Sequence, residues 1–276
     1  MPTTTELYYF AHGVGEQVDN RPPLILLHGA GGTHLSWAPQ IRRMAGEKVY
    51  APDLPGHGKS EGAGRQSINE YADDVLAFMK ELKIDAAVIV GHSMGSAVAL
   101  TLALNYPKQV LGLGLIGSGS KLRVSQTLLD TVGNSNTFES AVDMVNENCF
   151  SAATPQNLLE LSRRYMLEIR PPVLSGDFLA CNEFDVTSQL ENIHVPTLIL
   201  CGAEDRMMPV KFSELLQTGI ANSQLHVLEN AGHMVMLEQP GAVADLLKKF
   251  VDDIPLKVKK TRKKRVVPMV DSASEA

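Results

Sequence analysis

A serine stands between two glycines in the segment Gly91-His92-Ser93-Met94-Gly95. The short apolar run 87–90 precedes this segment, and small and apolar residues follow it. A strand, a sharp turn and a helix in this order expose a serine hydroxyl at the end of a sheet. The helix N-terminus beside it favours developing negative charge. The segment therefore predicts Ser93 as a nucleophile that attacks an acyl carbon.

A serine hydroxyl is a weak nucleophile at neutral pH, so it needs a base and an acid that orients the base. His233 is the candidate base, because it follows a strand predicted over residues 224–228 and precedes a helix. Asp205 is the candidate acid and follows a strand predicted over residues 196–201, with Glu204 as the adjacent alternative. Both residues should lie on loops at the same sheet edge as Ser93.

Two backbone N–H groups are the candidates for stabilising an oxyanion. One belongs to Met94, directly after the predicted nucleophile, and the other to Ala30. Gly29 and Gly31 flank Ala30 and let the backbone approach a substrate closely. Losing one such donor typically lowers the rate by about 100- to 1000-fold.

Strands alternate with helices along most of the chain, which indicates an α/β fold with a mostly parallel central sheet and helices on both faces. The predicted core comprises residues 1–117 and 194–254. Residues 118–193 show only helical patterns and predict a helical cap over the carboxyl ends of the strands, where open α/β sheets bind ligands. Within the core we predict an edge strand over residues 7–10 and a helix over residues 36–45.

The predicted cap is rich in apolar residues, most of which we assign to its own core and a subset to an acyl pocket. They are Leu128, Leu129, Phe138, Met144, Val145, Leu158, Tyr165, Met166 and Phe178. Arg163, Arg164 and Arg170 are candidates for holding a substrate carboxylate, although a solvated helix face explains each of them better.

These motifs together resemble the α/β-hydrolase fold superfamily, in particular its capped esterases, lactonases and carbon–carbon hydrolases. The matching stretches are residues 26–32 with Trp37, 53–60, 91–95, 195–205 and 232–233. The resemblance implies a Ser93–His233–Asp205 triad in the known chain order serine, acid, histidine, with supporting or substrate-binding roles for His28, Gly29, Gly31, Trp37 and His92. It implies no metal and no cofactor. A serine at position 93 excludes the haloalkane dehalogenases and epoxide hydrolases of this fold, which use an aspartate nucleophile.

The favoured function is hydrolysis of a small to medium carboxylic ester, with a lactone close behind, because the cap is apolar. The first alternative is a hydrolase that cleaves a carbon–carbon bond in a vinylogous diketone. Such enzymes often carry asparagine before the serine, where this chain has His92. A perhydrolase or acyltransferase uses the same groups. A ligand-binding receptor without turnover is the alternative from a different class, and the complete set of catalytic groups argues against it.

Composition and charge bound the remaining possibilities. The 276 residues are 44% hydrophobic and 20% charged, which is typical of a globular protein. No apolar run is long enough to span a membrane and no secretory signal is visible. The three cysteines predict free thiols and a cytoplasmic location.

The charge is unevenly distributed along the chain. The net charge is −6, yet residues 255–276 carry seven basic and two acidic side chains and predict a basic, flexible tail. The acidic remainder argues against nucleic acid as a partner. The tail is a candidate contact for an anionic partner, although simple solvation explains it better.

Overall fold

The computed structural model describes residues 7–14 and 21–254. The predicted basic tail over residues 255–276 lies outside the described residues. Seven strands form one sheet in the order β1-β3-β2-β4-β5-β6-β7. β1 pairs antiparallel with β3, and the other neighbours pair parallel. The predicted fold class, a mostly parallel sheet covered by helices, is confirmed.

The strands are short, as expected for a sheet of this type. They are β1 (Tyr9–His12), β2 (Leu24–Leu27), β3 (Val49–Pro52), β4 (Ala87–His92), β5 (Val110–Ile116), β6 (Thr197–Gly202) and β7 (Ser223–Leu228). The helices are α1 (Pro39–Arg42), α2 (Ile68–Glu81), α3 (Met94–Asn105), α4 (Gln126–Val132), α5 (Phe138–Cys149), α6 (Gln156–Leu167), α7 (Pro171–Glu183), α8 (Val210–Gly219), α9 (Val235–Glu238) and α10 (Pro240–Asp252). Short 3-10 helices cover His34–Ser36 and Thr187–Asn192. No helix among the described residues is both long and apolar enough to cross a membrane.

The sheet buries apolar side chains on both faces. In β2, Ile25 and Leu27 pack in the cluster that contains α2, α3 and α8, whereas Leu24 and Leu26 pack with α1 and α10. Successive side chains of a strand point to opposite faces, so a continuous apolar run is the expected sequence of a strand covered on both sides.

The predicted helix over residues 36–45 is wrong in its extent. The structure has the 3-10 turn His34–Ser36 and then the four-residue helix α1, which begins at Pro39. Proline lacks the N–H that a helix interior requires, and it is tolerated at the first helical position. One continuous helix across Pro39 is therefore disfavoured. The predicted edge strand is present but begins at Tyr9 rather than Leu7.

The four helices α4 to α7 lie between β5 and β6, and we call residues 118–193 the helical insertion. Its helices share a cluster of buried side chains that includes Val142, Ile169 and Leu174. An antiparallel β-bridge between Lys121 and Asp185 joins the two ends of the insertion. Assigning the insertion as a separate cap domain stays a prediction.

Candidate active site

Ser93 occupies a strained turn between β4 and α3. Its φ of 50° and ψ of −116° lie in a region that non-glycine residues rarely adopt. A side chain at Gly91 would collide with the carbonyl of Gly95, and one at Gly95 would collide with the carbonyl of Leu27. Glycines at both positions therefore allow the turn, which lifts Ser93 out of the strand.

His233 and Asp205 lie together at the ends of β7 and β6. Nδ1 of His233 is 2.8 Å from Oδ2 of Asp205, and both residues are buried. The other Asp205 oxygen, Oδ1, accepts a 2.7 Å hydrogen bond from the backbone N–H of Met208. A carboxylate only accepts hydrogen bonds, so His233 carries a proton on Nδ1 and leaves Nε2 free to accept one.

Gly117, at the end of β5, lets His233 approach the sheet. A Cβ at Gly117 would lie 3.0 Å from Nδ1 of His233, and the φ of 55° also favours glycine. Gly117 is not among the site residues predicted from the sequence. Its position directly after a buried strand is the signal by which it could have been found.

The loop that follows β2 presents its backbone to the same region. His28 is fully buried, donates from Nδ1 to the carbonyl of Gly29 at 2.8 Å, and accepts at Nε2 from the N–H of Leu54 at 3.0 Å. Burial, together with His57 nearby, lowers the pKa of His28 to about 4, so the ring is neutral. The N–H groups of Ala30 and Met94 have no hydrogen-bond partner within the described ranges. Unpaired backbone donors beside a serine are suited to bind an oxyanion.

His92 lies against the back of the His233 ring. Its Nε2–H donates a 3.0 Å hydrogen bond to the carbonyl of His233, and the two ring centroids are 4.7 Å apart. Burial, reinforced by the nearby His233 ring, holds the pKa of His92 well below its ordinary value. His92 is therefore a neutral support for the loop that carries His233.

A cavity of about 120 Å³ lies between these residues and the helical insertion. Ser93, His233, His92 and Ala30 line its floor. Within the described residues, the His233 ring is hydrogen-bonded to Asp205 and not to the Ser93 hydroxyl. Catalytic hydrogen bonds are often long in the absence of substrate. The remaining apolar wall is formed by Leu35, Val145, Cys149, Leu158, Leu161, Tyr165, Met166, Phe178, Met207, Met234 and Leu237.

No Lys, Arg, Asp or Glu side chain is among the described residues that line this cavity. Arg163 instead pairs with Glu139 and Asp143 of α5, and Arg170 donates to the carbonyl of Gly62. Burial raises the pKa of the Cys149 thiol, which keeps it neutral. The described lining therefore includes no lysine or arginine that could pair with an anionic group of a substrate.

Four of the predicted residues do not line the cavity: Asp205, Met94, Trp37 and His28. Trp37 is fully buried in the cluster below the sheet, beside Ile41, and His28 lies behind the loop that it supports. Gly29 and Gly31 do line the cavity. Among the described residues, no group of three or more His, Cys, Asp or Glu side chains could hold a metal ion.

Asp177 of α7 is a buried carboxylate that was not predicted from the sequence. Its Oδ2 accepts hydrogen bonds from the N–H of Gly31 at 2.9 Å and from Nε2 of His57 at 2.8 Å. Its Oδ1 accepts from the hydroxyl of Tyr71 at 2.5 Å. The one available signal is that Asp177 is the single acidic residue in the mostly apolar stretch 171–181.

Comparisons with known proteins identify the family and the fold. The family model described as the alpha/beta hydrolase fold matches residues 22–240. The chain is 30% identical over 261 residues to the 2-hydroxy-6-oxo-6-phenylhexa-2,4-dienoate hydrolase of Burkholderia cepacia, which covers 87% of this chain and 88% of that protein. The solved structure of a thermophilic esterase is 33% identical, with a TM-score of 0.76 and coverage of 90% and 98%. That of an N-acyl homoserine lactone degrading enzyme is 28% identical, with a TM-score of 0.77 and coverage of 88% and 96%.

Proposed function

The chain belongs to the alpha/beta hydrolase fold family, and from this premise we propose that it is a serine hydrolase of small, uncharged carboxylic esters and lactones. The observation that carries the proposal is the shared cavity of Ser93 and His233, with Asp205 holding the His233 ring. A hydroxyl, an imidazole and a buried carboxylate in this relation form the arrangement that activates serine for acyl transfer.

In the proposed mechanism, Oγ of Ser93 attacks the acyl carbonyl while Nε2 of His233 takes the hydroxyl proton. The N–H groups of Ala30 and Met94 bind the resulting oxyanion. The tetrahedral intermediate expels the alcohol, which receives the proton from His233. Water then attacks the acyl-enzyme, His233 takes a proton from this water, and the proton returns to Ser93 as the carboxylic acid leaves.

The size and polarity of the cavity define the proposed substrate class. A cavity of about 120 Å³ is slightly smaller than the engineered apolar cavity of about 150 Å³ that accepts benzene. We therefore expect acyl groups of about four to six carbons to fit best. Because an unpaired charge is costly to bury, a cavity without lysine or arginine favours uncharged acyl groups.

The same observation separates the proposal from carbon–carbon hydrolysis. The relative from Burkholderia cepacia is named for a dienoate, which is a carboxylate. A carboxylate in this cavity would meet no cationic side chain among the described lining residues. Ester and lactone substrates avoid that cost, so we place them first and a dienoate second.

The test of the mechanism is a set of single substitutions. Ser93→Ala should abolish labelling by a fluorophosphonate and lower kcat by about 10⁶-fold. Asp205→Asn should lower kcat by about 10⁴-fold, because the amide no longer holds His233 in the tautomer whose Nε2 can accept the Ser93 proton. The matched control is Glu204→Gln, since Glu204 contacts the backbone N–H of Ala152 instead of His233. Near-normal turnover in Ser93→Ala would refute the mechanism.

Rates on a substrate panel test the substrate class. The panel contains p-nitrophenyl esters of increasing acyl length, a butyrolactone, and a vinylogous diketone that carries a carboxylate. The proposal predicts the highest kcat/KM for an ester or lactone with an uncharged acyl group of about four to six carbons. A higher kcat/KM for the diketone would establish carbon–carbon hydrolysis in its place.

A further inference from the structure

Asp177 connects four separate parts of the chain from a fully buried position on α7. It accepts hydrogen bonds from the loop that follows β2, through Gly31, and from the loop that follows β3, through His57. The third donor, Tyr71, belongs to α2. Asp177 does not line the cavity, and none of its three contacts takes part in the mechanism proposed above.

The hydrogen bonds fix the protonation of this cluster. Nδ1 of His57 is 3.1 Å from the carbonyl of Pro55, which only accepts, so Nδ1 carries a proton. Nε2 faces Asp177, to which the N–H of Gly31 and the hydroxyl of Tyr71 also donate, and this set of three donors favours a carboxylate as their shared acceptor. Both ring nitrogens then donate, and His57 is an imidazolium. Burial opposes this charge, yet the Asp177 carboxylate and its hydrogen bond keep the pKa of His57 above its ordinary value.

The helix that carries Asp177 also contacts both the cavity and the loop that follows β2, which holds the Ala30 N–H. Leu174 lies against Gly31, where an added Cβ would be 2.9 Å from its Cδ1. Phe178, the neighbour of Asp177, lines the cavity. Residues 174, 177 and 178 are three and four positions apart, and this spacing places side chains on one face of a helix. One face of α7 therefore contacts the acyl pocket and the loop that would bind the oxyanion.

We propose that Asp177 is a positioning residue that, paired with His57, holds Gly31 so that the adjacent Ala30 N–H points to the oxyanion. The hydrogen bond to Gly31 fixes the peptide that follows Ala30, and Leu174 closes the loop from above. An acyl group that contacts Phe178 therefore contacts the same helix that positions the Ala30 N–H. This inference rests on the proposed serine mechanism, because it assigns the oxyanion role to Ala30.

The test compares Asp177→Asn with Glu47→Gln. Glu47 is also a fully buried carboxylate, but it pairs with Arg21 and Lys248 away from the cavity. Asp177→Asn should lower kcat by about 10- to 100-fold with little change in KM, because a displaced donor loses part of the 100- to 1000-fold that one oxyanion contact supplies. The affinity for an alkyl boronic acid, which forms a tetrahedral anionic adduct with serine, should fall by a similar factor. Glu47→Gln should change neither quantity.

Further variants distinguish a positioning role of Asp177 from misfolding of the variant and from failure of the serine mechanism. If Asp177→Asn does not fold, Asp177→Glu keeps the charge and moves the Gly31 acceptor by one methylene, and it should still lower kcat by about 10-fold. Unchanged kcat and boronate affinity in a folded Asp177 variant would overturn the inference. Fluorophosphonate labelling of Ser93 in the same samples reports on the serine mechanism independently. Ring nitrogen chemical shifts should show His57 doubly protonated at neutral pH, and a neutral ring would overturn the proposed pair.

Discussion

Gly117 illustrates how the absence of a side chain can set the position of His233, the proposed base. Gly117→Ala would place a methyl group 3.0 Å from Nδ1 and 3.2 Å from the carbonyl oxygen of His233. Because a displacement of about 1 Å can cost as much as 100-fold in rate, we expect kcat to fall by about 10- to 100-fold. Steady-state kinetics on a p-nitrophenyl ester measures this loss.

Gly46→Ala is the matched control for this substitution. Gly46 also has a positive φ, of 77°, but nothing lies within 4 Å of its added Cβ. Both variants should lose about 1–2 kcal/mol of stability through backbone strain. Equal kcat values in the two variants would show that Gly117 shapes only the backbone and not the His233 site.

Residues next to strand ends were predictable from the sequence, whereas buried partners distant in sequence were not. Ser93, Asp205 and His233 each follow a predicted strand, and parallel strands end at one edge of a sheet. Asp177 meets its three donors across 106, 120 and 146 positions of the chain. No local pattern encodes such a contact, because it depends on how α7 packs on the sheet.

At the scale of the element, α7 should determine the length of the acyl group. Phe178 lines the cavity, whereas the adjacent Leu179 is exposed and does not line it. Phe178→Leu removes a ring from the cavity wall, so the preferred ester should lengthen by about one or two methylene groups. Leu179→Ala should leave the chain-length profile unchanged. A shift of equal size in both variants would mean that the profile reflects a loosened helix.

Periodicity predicted that helices fill the insertion, but not which of their faces lines the cavity. α6 has no fully buried side chain, yet Leu158, Leu161, Tyr165 and Met166 line the cavity. The sequence pattern of an apolar helix face is the same whether that face borders solvent or a cavity. The lining therefore depends on the angle at which α6 crosses the site, and sequence spacing does not specify that angle.

At the scale of the whole molecule, the sheet order determines which loops converge. The carboxyl ends of β4, β5, β6 and β7 bring Ser93, Gly117, Asp205 and His233 to one edge. The alternation of strands and helices predicted a parallel sheet with these ends together. The antiparallel pairing of β1 with β3 was not predictable, because an edge strand has the same local pattern in either direction.

Buried histidines should make the stability of the whole fold depend on pH. His28 and His92 are neutral in the fold, with pKa values lowered mainly by burial. An unfolded histidine titrates near pH 6.5. Below that pH the unfolded chain binds protons that the folded chain excludes, so stability falls as pH decreases from about 6.5 towards about 4.

His57 affects the pH dependence of stability in the opposite direction, because its pKa is raised in the fold. Its contribution is complete below about pH 6.5 and is lost as pH rises through its folded pKa.

Denaturant unfolding of variants can show which histidine causes the loss of stability at acid pH. Each excluded proton contributes about 1.4 kcal/mol per pH unit, so two histidines give a slope of about 3 kcal/mol per unit near pH 5. His28→Asn should reduce that slope by about half, even if the variant is less stable at every pH. His194→Asn is the control, because His194 is exposed and its removal should leave the slope unchanged. If His28→Asn retains the full slope, the buried carboxylates rather than the neutral histidines govern acid unfolding.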